Sequence, residues 1–169
     1  WSSDVCSSDL YFKHIQEEIR SDSSFKNQIL DPCKEMMESV GEAISLHIRR
    51  TDYLTNDNHV ALDLDYYKRA LAYFDSNIPV LVFSDDIEWC KNQELFSGDR
   101  FMISESNNHY IDLCLMTLCK YHIIANSSFS WWGAWLSGSD YVISPIVWFG
   151  TGNFHHDTKD LIPERWNRI

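Results

Sequence analysis

Two adjacent arginines lie in a short polar segment, HIRRTD at residues 47–52, which follows an apolar run typical of a β-strand. If the strand continues through the segment, side chains alternate, so that His47 and Arg49 share one face and Arg50 lies on the other. Arginine binds phosphate through two parallel hydrogen bonds. One arginine is therefore expected to reach a ligand while its neighbour braces the structure, with Asp52 as partner. A plain pair of surface arginines is the alternative.

Two neighbouring acids, Asp85 and Asp86, follow a second apolar run, PVLVF at residues 79–83. In a nucleotide-binding sheet, an acid at this position often accepts hydrogen bonds from ribose hydroxyls or from the edge of a base. The alternative is a helix cap, which is favoured for Asp86. Two acids would also suit a metal ion, but no third carboxylate stands at a suitable spacing, so no metal site is expected.

Small hydroxyl side chains follow a third apolar run, in the segment NSSFS at residues 126–130. Between a strand and a helix, such a segment exposes backbone N–H groups at the positive end of the helix dipole, and these groups bind anions. The alternative is an ordinary serine cap on the helix. The next two residues, Trp131 and Trp132, are expected to pack in the core rather than to stack on a base.

The elements that would position these three segments alternate along the chain. Strands are predicted at residues 43–48, 79–83, 101–104, 121–125 and 141–144, and helices at 11–20, 33–39, 65–76, 86–96, 110–120 and 129–136. This β-α-β order is typical of a doubly wound parallel sheet, an α/β Rossmann-like fold with flanking helices. Such sheets bind ligands at the carboxyl ends of their strands, where all three polar segments are expected to lie.

The composition supports a folded chain and narrows its partners. Apolar residues make up 44% of the 169 residues and aromatic residues 14%, which is enough for a substantial core. The net charge of −11 argues against a general nucleic-acid-binding protein, which needs a basic face. No apolar run approaches the roughly 20 residues of a membrane-spanning helix. The acidic composition still allows a small ligand that carries phosphate, because a few arginines can make one pocket positive.

The cysteines and the first residues carry further expectations. The five cysteines are odd in number and have no CxxC spacing, so a reducing compartment and buried free thiols are expected. Residues 1–10, WSSDVCSSDL, repeat the letters SSD and include no initiator methionine. We interpret them as a non-native scar that replaces upstream sequence; a genuine disordered tail is the alternative.

Three motifs together resemble a known family. HxRRxD at residues 47–52, FSDDIEWC at 83–90 and IIANSSFSWWGAWL at 123–136 are similar, in order and spacing, to family 11 glycosyltransferases, the α-1,2-fucosyltransferases. LDYYKRA, YIDLCLMTLCKYH and the closing DLIPERWNRI add to the resemblance, which extends from about residue 11 to residue 169. It implies the carboxyl-terminal part of a family member. Residues 11–40 would be a helical remnant next to an absent amino-terminal lobe, and residues 41–169 a GDP-fucose-binding Rossmann-like domain.

The resemblance also implies an activity. The fold would be the donor-binding lobe of a GT-B-type glycosyltransferase, which moves L-fucose from GDP-β-L-fucose to the 2-hydroxyl of a terminal galactose in a glycan and inverts the anomeric carbon. No divalent metal or other cofactor would be needed, because the basic motif would neutralise the departing diphosphate. The expected setting is the cytoplasm, with peripheral association at the inner face of the membrane as a further option.

The same resemblance implies roles for individual residues. Arg49 would clamp the β-phosphate with His47 beside it, and Arg50 and Asp52 would hold the loop. The residues implied as catalytic are thus His47, Arg49 and Asp52, and those implied as donor-binding are Arg49, Arg50, Asp85, Asn126, Ser127, Ser128, Phe129 and Ser130. Asp85 would contact the nucleoside, and Ser127, Ser128 and Phe129 the diphosphate. Thr51 departs from the family, where glycine is common.

Two questions stay open at the level of sequence, the catalytic base and the activity of the chain. The catalytic base is not identified, and Asp52, His59 and His109 are candidates by residue type alone. The chain is a transferase fragment under the leading hypothesis, and a GDP-binding fragment without turnover under the second. A third hypothesis is a transferase that uses another nucleotide sugar.

Overall fold

A parallel β-sheet organises the chain, and its strands account for all five that the sequence predicts. The computed structural model describes residues 9–106 and 108–169. Within them the sheet has six strands in the order β3-β2-β1-β4-β5-β6, and every pairing is parallel. The strands are β1 Ile44–Ile48, β2 Val80–Ser84, β3 Phe101–Ile103, β4 Tyr121–Ile123, β5 Val142–Ser144 and β6 Asn167–Arg168. The predicted α/β Rossmann-like fold is therefore confirmed.

The helices differ from their predicted bounds where local chemistry ends or extends them. They are α1 Gln16–Asp22, α2 Asn27–Val40, α3 Leu64–Leu71, α4 Ile87–Lys91, α5 His109–Leu118 and α6 Ser128–Ser137, with 3₁₀ turns at Asp9–Phe12, Asp52–Leu54 and Glu94–Phe96. The predicted helix at 86–96 is split, because the Asn92 side chain donates to the Glu88 carbonyl at 2.8 Å and ends α4. The predicted helix at 33–39 begins earlier and contains Pro32. Packing of Ile29 and Leu30 against the core compensates for the amide that proline lacks.

Helices cover both faces of the sheet, and β1 shows how the faces divide. Ile44, Leu46 and Ile48 belong to a core cluster that includes side chains of α3 and α4. The alternate residues Ser45 and His47 lie on the other face, where α2 and α5 pack. Strand alternation therefore directs His47 to the same side as α5 and α6.

Tryptophans fill a further cluster around α6. Trp131 and Trp135 are fully buried, which confirms the core packing predicted for Trp131. Trp132 is half-buried and stacks on Phe12 with ring centroids 5.5 Å apart. Gly133 brings α6 close to α5, because an added Cβ would lie only 2.9 Å from the Met116 Cβ. This close packing sets the position of the amino-terminal end of α6 relative to α5.

The remaining expectations about the chain have mixed outcomes. Cys33, Cys90, Cys114 and Cys119 are buried and free, as expected, and Cys6 lies outside the described residues. The interpretation of residues 1–10 as a scar stays a prediction, since residues 1–8 also lie outside them; Asp9 forms an ion pair with Arg165 at 3.0 Å. No helix in residues 9–106 and 108–169 is long and apolar enough to cross a membrane.

The chain order of the strands creates a crevice at one edge. From β1 the chain adds β2 and β3 on one side and then β4, β5 and β6 on the other. At such a switch point the loops that follow the two central strands diverge and leave space between them. The loops after β1 and β4 begin at residues 49 and 124, and they contain parts of two of the three polar segments.

Candidate functional site

A cavity of about 400 Å³ lies at this carboxyl edge, against the ends of β1, β2 and β4. Residues from all three polar segments line it, together with residues from the start of α5. The lining residues are His47, Arg49, Phe83, Ser84, Asp85, Ile87, Ser106, His109, Asp112, Ser127 and Phe129. The structure therefore brings His47, Arg49, Asp85, Ser127 and Phe129 together, as the sequence predicts.

Arg49 is held at the cavity by two carboxylates. Its Nη2 lies 2.8 Å from Asp52 Oδ1, and its Nη1 lies 3.3 Å from Asp85 Oδ2. The guanidinium carbon also lies 5.6 Å from the centre of the Tyr53 ring. Because a guanidinium has five N–H donors, these contacts orient the side chain and still leave donors for an anion. About a third of the side chain is exposed, so an anion can approach it.

Arg50 turns away and braces the structure. Its Nε lies 3.3 Å from Asp86 Oδ2, and its guanidinium carbon lies 3.8 Å from the centre of the Trp89 ring. Arg49 borders the cavity and Arg50 pairs away from it, but the partner expected for the bracing arginine is wrong, because Asp52 pairs with Arg49 instead. The strand ends at Ile48 and a 3₁₀ turn begins at Asp52. Asp52, the first residue of this turn, pairs with Arg49 three residues before it.

Asp85 uses its carboxylate to hold the arginine loop. Its Oδ1 accepts from the Arg50 amide at 2.9 Å, and its Oδ2 accepts from the Thr51 amide at 3.1 Å and from the Thr51 hydroxyl. Burial opposes ionisation, but these hydrogen bonds and the Arg49 charge outweigh it and hold the pKa of Asp85 below its usual range. The hydroxyl of Thr51, which departs from the family pattern, thus supplies one of these bonds, and its amide supplies another. Asp85 also lines the cavity, and the nucleoside contact expected of it stays a prediction.

Asp86 is a helix cap, which is the role that its position in the sequence favours. Its Oδ1 accepts from the Trp89 amide at 3.1 Å and caps α4. With its other oxygen on Arg50, the same carboxylate ties the helix to the arginine loop. Asp86 is therefore not among the residues that line the cavity.

His47 is buried beside the cavity and is neutral at ordinary pH. Its ring centroid lies 5.6 Å from that of Phe129, and its Nδ1 has no hydrogen-bond partner among the described residues. Burial lowers the pKa of His47 to about 4, although the Asp85 charge acts in the opposite direction. A neutral imidazole offers one donor and one acceptor but adds no positive charge to the site.

The NSSFS segment places the amino-terminal end of α6 at the cavity. Ser127 is the N-cap residue of α6, but its hydroxyl makes no capping hydrogen bond. The first amides of the ten-residue helix have no acceptor within the helix, and they carry the positive end of its dipole. Ser127 and Phe129 line the cavity, so this helix end and Arg49 belong to the same space.

Four residues expected to bind the donor do not line the cavity, and Arg50 is one of them. Asn126 is 2% exposed, and its Nδ2 donates to the Val60 carbonyl at 3.0 Å and the Trp148 carbonyl at 2.8 Å. Asn126 therefore ties the loop after β1 to the loop after β5. Ser130 is buried and donates to backbone carbonyls behind it, and Ser128 lies at a separate, apolar groove. These contacts place the side chains of Asn126, Ser128 and Ser130 outside the cavity lining.

The three candidate bases occupy different places. Asp52 is paired with Arg49, and His109 lines the cavity. His59 stacks on the Tyr53 ring at 4.3 Å, and the Tyr53 hydroxyl donates to the Asn126 carbonyl at 3.1 Å. Geometry alone selects none of the three.

In the part of the chain that the structure describes, no three His, Cys, Asp or Glu side chains are arranged to hold a metal ion. Metal independence stays a prediction.

Sequence reasoning missed Asp112. This acid lies in the first turn of α5 and lines the cavity, where Ser104 Oγ donates to its Oδ1 at 2.7 Å. The pattern of residues 110–120 predicts a helix that is apolar nearly all round. The available signal was the acid itself, since a carboxylate within an apolar helix that follows a strand needs a specific partner.

Known proteins match this chain over most of its length. The model of the family described as glycosyl transferase family 11 matches residues 5–169. An "alpha-1,2-colitosyltransferase" of Escherichia coli is 40% identical over 94% of this chain and 59% of its own length. "O-antigen biosynthesis glycosyltransferase WbnK" of Escherichia coli is 41% identical over 69% of this chain and 42% of its own length.

More distant relatives carry another name. A "galactoside alpha-(1,2)-fucosyltransferase 1" of Saimiri boliviensis boliviensis is 25% identical over 78% of this chain and 41% of its own length. The chain thus spans about two fifths to three fifths of the length of these relatives. The family match over nearly all residues agrees with the parallel sheet and with the arginine motif at its carboxyl edge, and the chain belongs to glycosyl transferase family 11.

Proposed function

We propose that this chain is the donor-binding part of an inverting α-1,2-fucosyltransferase. The enzyme moves L-fucose from GDP-β-L-fucose to the 2-hydroxyl of a terminal galactose in a glycan. The observation that carries the proposal is the position of Arg49, which two carboxylates hold at a cavity that the amino-terminal end of α6 also borders. A fixed guanidinium next to unpaired helix amides suits a diphosphate.

The departing diphosphate explains how this geometry accelerates transfer. As the bond between the anomeric carbon and the β-phosphate oxygen breaks, negative charge grows on that phosphate. Arg49 and the first amides of α6 stabilise this charge, and they need no reorganisation because Asp52 and Asp85 already orient the guanidinium. The proposed reaction therefore needs no divalent ion.

Inversion of the anomeric carbon requires a defined direction of attack and a base. The acceptor hydroxyl attacks the anomeric carbon from the side opposite the diphosphate, and its proton passes to a base. His47 takes no part as a cation, because burial keeps it neutral, but it can form one hydrogen bond to the donor. The proposed partners are GDP-fucose and a galactose-terminated oligosaccharide, and the proposed setting is the cytoplasm or the inner face of the membrane.

A different donor sugar is the second candidate. The colitosyltransferase is 40% identical to this chain, whereas the galactoside fucosyltransferase is 25% identical. This difference favours a transferase for nucleotide-activated colitose that uses the same diphosphate site. The third candidate, a nucleotide-binding fragment without turnover, follows from the partial coverage of the relatives.

Calorimetry and a transfer assay separate these candidates. The 169-residue chain is titrated with GDP, GDP-fucose and UDP, each with and without EDTA. Binding of GDP but not UDP, unaffected by EDTA, supports the proposal, and a strict requirement for Mn²⁺ or Mg²⁺ contradicts its metal-free form. No binding of GDP or GDP-fucose overturns the proposed donor site.

Transfer is then measured in the chain and in an extended protein. This extended protein carries, at its amino terminus, the corresponding segment of the Escherichia coli colitosyltransferase. Transfer from GDP-fucose to a galactose-terminated oligosaccharide supports the fucosyl assignment, and transfer from nucleotide-activated colitose alone supports the second candidate. Nucleotide binding without transfer in either protein supports the third.

A further inference from the structure

Two loops at the carboxyl edge of the sheet form a surface outside the cavity. The first, residues 53–60, follows the arginine loop, and the second, residues 149–157, lies in the segment after β5. Because β1, β4 and β5 are neighbours in a parallel sheet, both loops leave it at the same edge as the cavity. The residues that line the cavity belong to neither loop. Together the two loops form the loop platform.

Backbone hydrogen bonds join the two loops of the platform. The Gly150 amide donates to the Asn58 carbonyl at 2.9 Å, and the Gly152 amide donates to the Asp57 carbonyl at 2.9 Å. A Cβ added at Gly150 would lie 2.8 Å from the His59 carbonyl oxygen, so the close approach of the two backbones requires glycine there. The loops therefore present one continuous surface.

Asn126 fixes the position of the loop platform next to the cavity. Its Nδ2 donates to the Val60 and Trp148 carbonyls, one at the base of each loop, and the residue after it lines the cavity. Tyr53 donates its hydroxyl to the Asn126 carbonyl at 3.1 Å, and its ring centre lies 5.6 Å from the Arg49 guanidinium carbon. The platform thus begins on the side of the cavity where Arg49 lies.

A row of rings crosses the platform from Tyr53 outwards. Tyr53 stacks on His59 with ring centroids 4.3 Å apart, and His59 forms a β-bridge with Phe149 in the second loop. Three further ring contacts, with centroids between 4.5 and 6.0 Å apart, extend the row from Phe149 through His156, His155 and Phe154. The row therefore connects the border of the cavity with the outer end of the platform.

The outer end of this row is open to a ligand. Phe154 is 79% exposed, more than any other large apolar side chain among the described residues. A ligand that covers the ring removes apolar surface from water, which is favourable. The first loop adds the exposed amide of Asn56 and the exposed carboxylate of Asp57, which form hydrogen bonds with hydroxyl groups.

This combination of groups suits a neutral oligosaccharide. Neither loop contains lysine or arginine, so the platform lacks the basic groups that a nucleic acid or an anionic membrane surface needs. A sugar ring has an apolar face of C–H groups and a rim of hydroxyls. A flat aromatic ring packs on the face, while amides and carboxylates bind the rim.

We propose that the loop platform binds the acceptor oligosaccharide and that Phe154 packs on one of its inner sugars. The terminal galactose lies nearest to Arg49, where transfer takes place, and the sugars that precede it extend across the platform. Several ring contacts separate Phe154 from Tyr53, so the galactose alone does not reach Phe154. The inference rests on the proposed function, because it takes the acceptor to be a galactose-terminated oligosaccharide.

The test measures sugar and nucleotide binding separately on the 169-residue chain. NMR titration gives the affinities for lactose and for lacto-N-tetraose, a galactose-terminated tetrasaccharide, and calorimetry gives the affinity for GDP. The tetrasaccharide is expected to bind more tightly than lactose. Phe154→Leu keeps an apolar side chain but removes the flat ring, and it is expected to weaken tetrasaccharide binding by about fivefold or more. Binding of lactose and of GDP is expected to stay unchanged.

Two further variants show whether the effect belongs to the ring at this position. Phe154→Trp keeps a flat ring and is expected to retain the wild-type affinity for the tetrasaccharide. Tyr73→Leu removes another exposed aromatic ring, in the loop that enters β2 at the opposite edge of the sheet, and is expected to change none of the affinities. Both positions are exposed, so thermal melts of all three variants are expected to match wild type.

The possible results separate this inference from the proposed donor site. If GDP binds but the tetrasaccharide does not, the inference is overturned while the donor site stands. The same holds if Phe154→Leu keeps the wild-type affinity for the tetrasaccharide, or if it weakens GDP and the tetrasaccharide equally. If the tetrasaccharide binds through Phe154 but GDP does not bind, the donor site fails and the sugar-binding platform stands. If neither ligand binds, both fail.

Discussion

The two loops that border the cavity use the chain in opposite ways. In the arginine loop, residues 49–51, the side chain of Arg49 faces the cavity, and the backbone amides of the next two residues are occupied by Asp85. In the NSSFS segment, residues 126–130, the amides at the start of α6 are free, while Asn126 and Ser130 use their side chains to hold the backbone. An anion site can thus be built from a fixed side chain on one side and a fixed backbone on the other.

The largest expected effect is on turnover and comes from Arg49, whose loop forms the side-chain half of the site. Arg49→Lys keeps the positive charge but loses the planar group that two carboxylates and a phosphate can contact together. In the extended protein, kcat for fucose transfer is expected to fall by about 10²-fold or more, the size seen when one preorganised charge-stabilising donor is removed. KM for the donor is expected to change less, since the interaction strengthens as the bond breaks.

Arg50→Lys is the matched control for Arg49→Lys. Arg50 contacts Asp86 and Trp89 away from the cavity, so its replacement is expected to lower Tm more than it lowers kcat. Near-native turnover in Arg49→Lys together with lost turnover in Arg50→Lys would invert the roles assigned here. Near-native turnover in both variants would remove the diphosphate clamp from the mechanism.

The second effect concerns the charge of His47, which also belongs to the side-chain half. The folded protein keeps His47 neutral down to a pH of about 4, whereas the unfolded chain binds a proton near pH 6.5. As pH falls from about 6.5 towards 4, the unfolded state therefore gains a proton that the folded state does not, and stability decreases. The full contribution is on the order of 3 kcal/mol.

Urea unfolding at several pH values measures this contribution. His122 is also buried with a lowered pKa, so wild type loses stability in the same range for two reasons. His47→Gln removes only the first, and its stability is expected to fall less steeply between pH 7 and pH 4.5. Parallel curves for the two proteins would show that His47 is not held neutral in the folded state.

A third, smaller effect belongs to the backbone half. Asn126→Ala leaves the Val60 and Trp148 carbonyls without their donor and removes the link between the loops after β1 and β5. The free energy of unfolding is expected to drop by about 2 kcal/mol. GDP affinity, measured well below the Tm of the variant, is expected to stay within a few-fold of wild type. A large loss of affinity without a loss of stability would return Asn126 to the donor-contacting role expected from the sequence.

How far the sequence predicts this architecture depends on the kind of pattern involved. The apolar runs of β1 and β2 are buried on both faces, so they are visible as strands without any knowledge of their neighbours. The two-residue strand β6, Asn167–Arg168, is exposed and carries no apolar pattern, and it was not predicted. Whether a short, exposed strand forms depends on the strand beside it, so its own sequence carries no recognisable pattern.

The candidate site follows the same rule. The position of Arg49 at the cavity was predictable, because the residue directly follows β1 and parallel sheets bind ligands at the carboxyl ends of their strands. Its partner Asp52 was not, since the pairing depends on a 3₁₀ turn that begins after the strand ends. Asp112 was missed because its role comes from the meeting of α5 with β3, about 60 residues away from the arginine loop in sequence.

The smallest expected effect tests whether the serines themselves matter. Ser127 lines the cavity, but its hydroxyl makes no capping bond, and Ser128 lies at a separate groove. If the amides of α6 bind the diphosphate, Ser128→Ala is expected to leave GDP affinity unchanged, and Ser127→Ala to lower it by less than about tenfold, the loss of at most one hydrogen bond. Neither change is expected to lower Tm as a lost cap would. Calorimetry with GDP and a thermal melt on each single variant give both numbers. A loss of GDP affinity well above tenfold in Ser128→Ala would mean that the Ser128 side chain contacts the ligand. The contrast between a side-chain site at Arg49 and a backbone site at α6 would then be wrong.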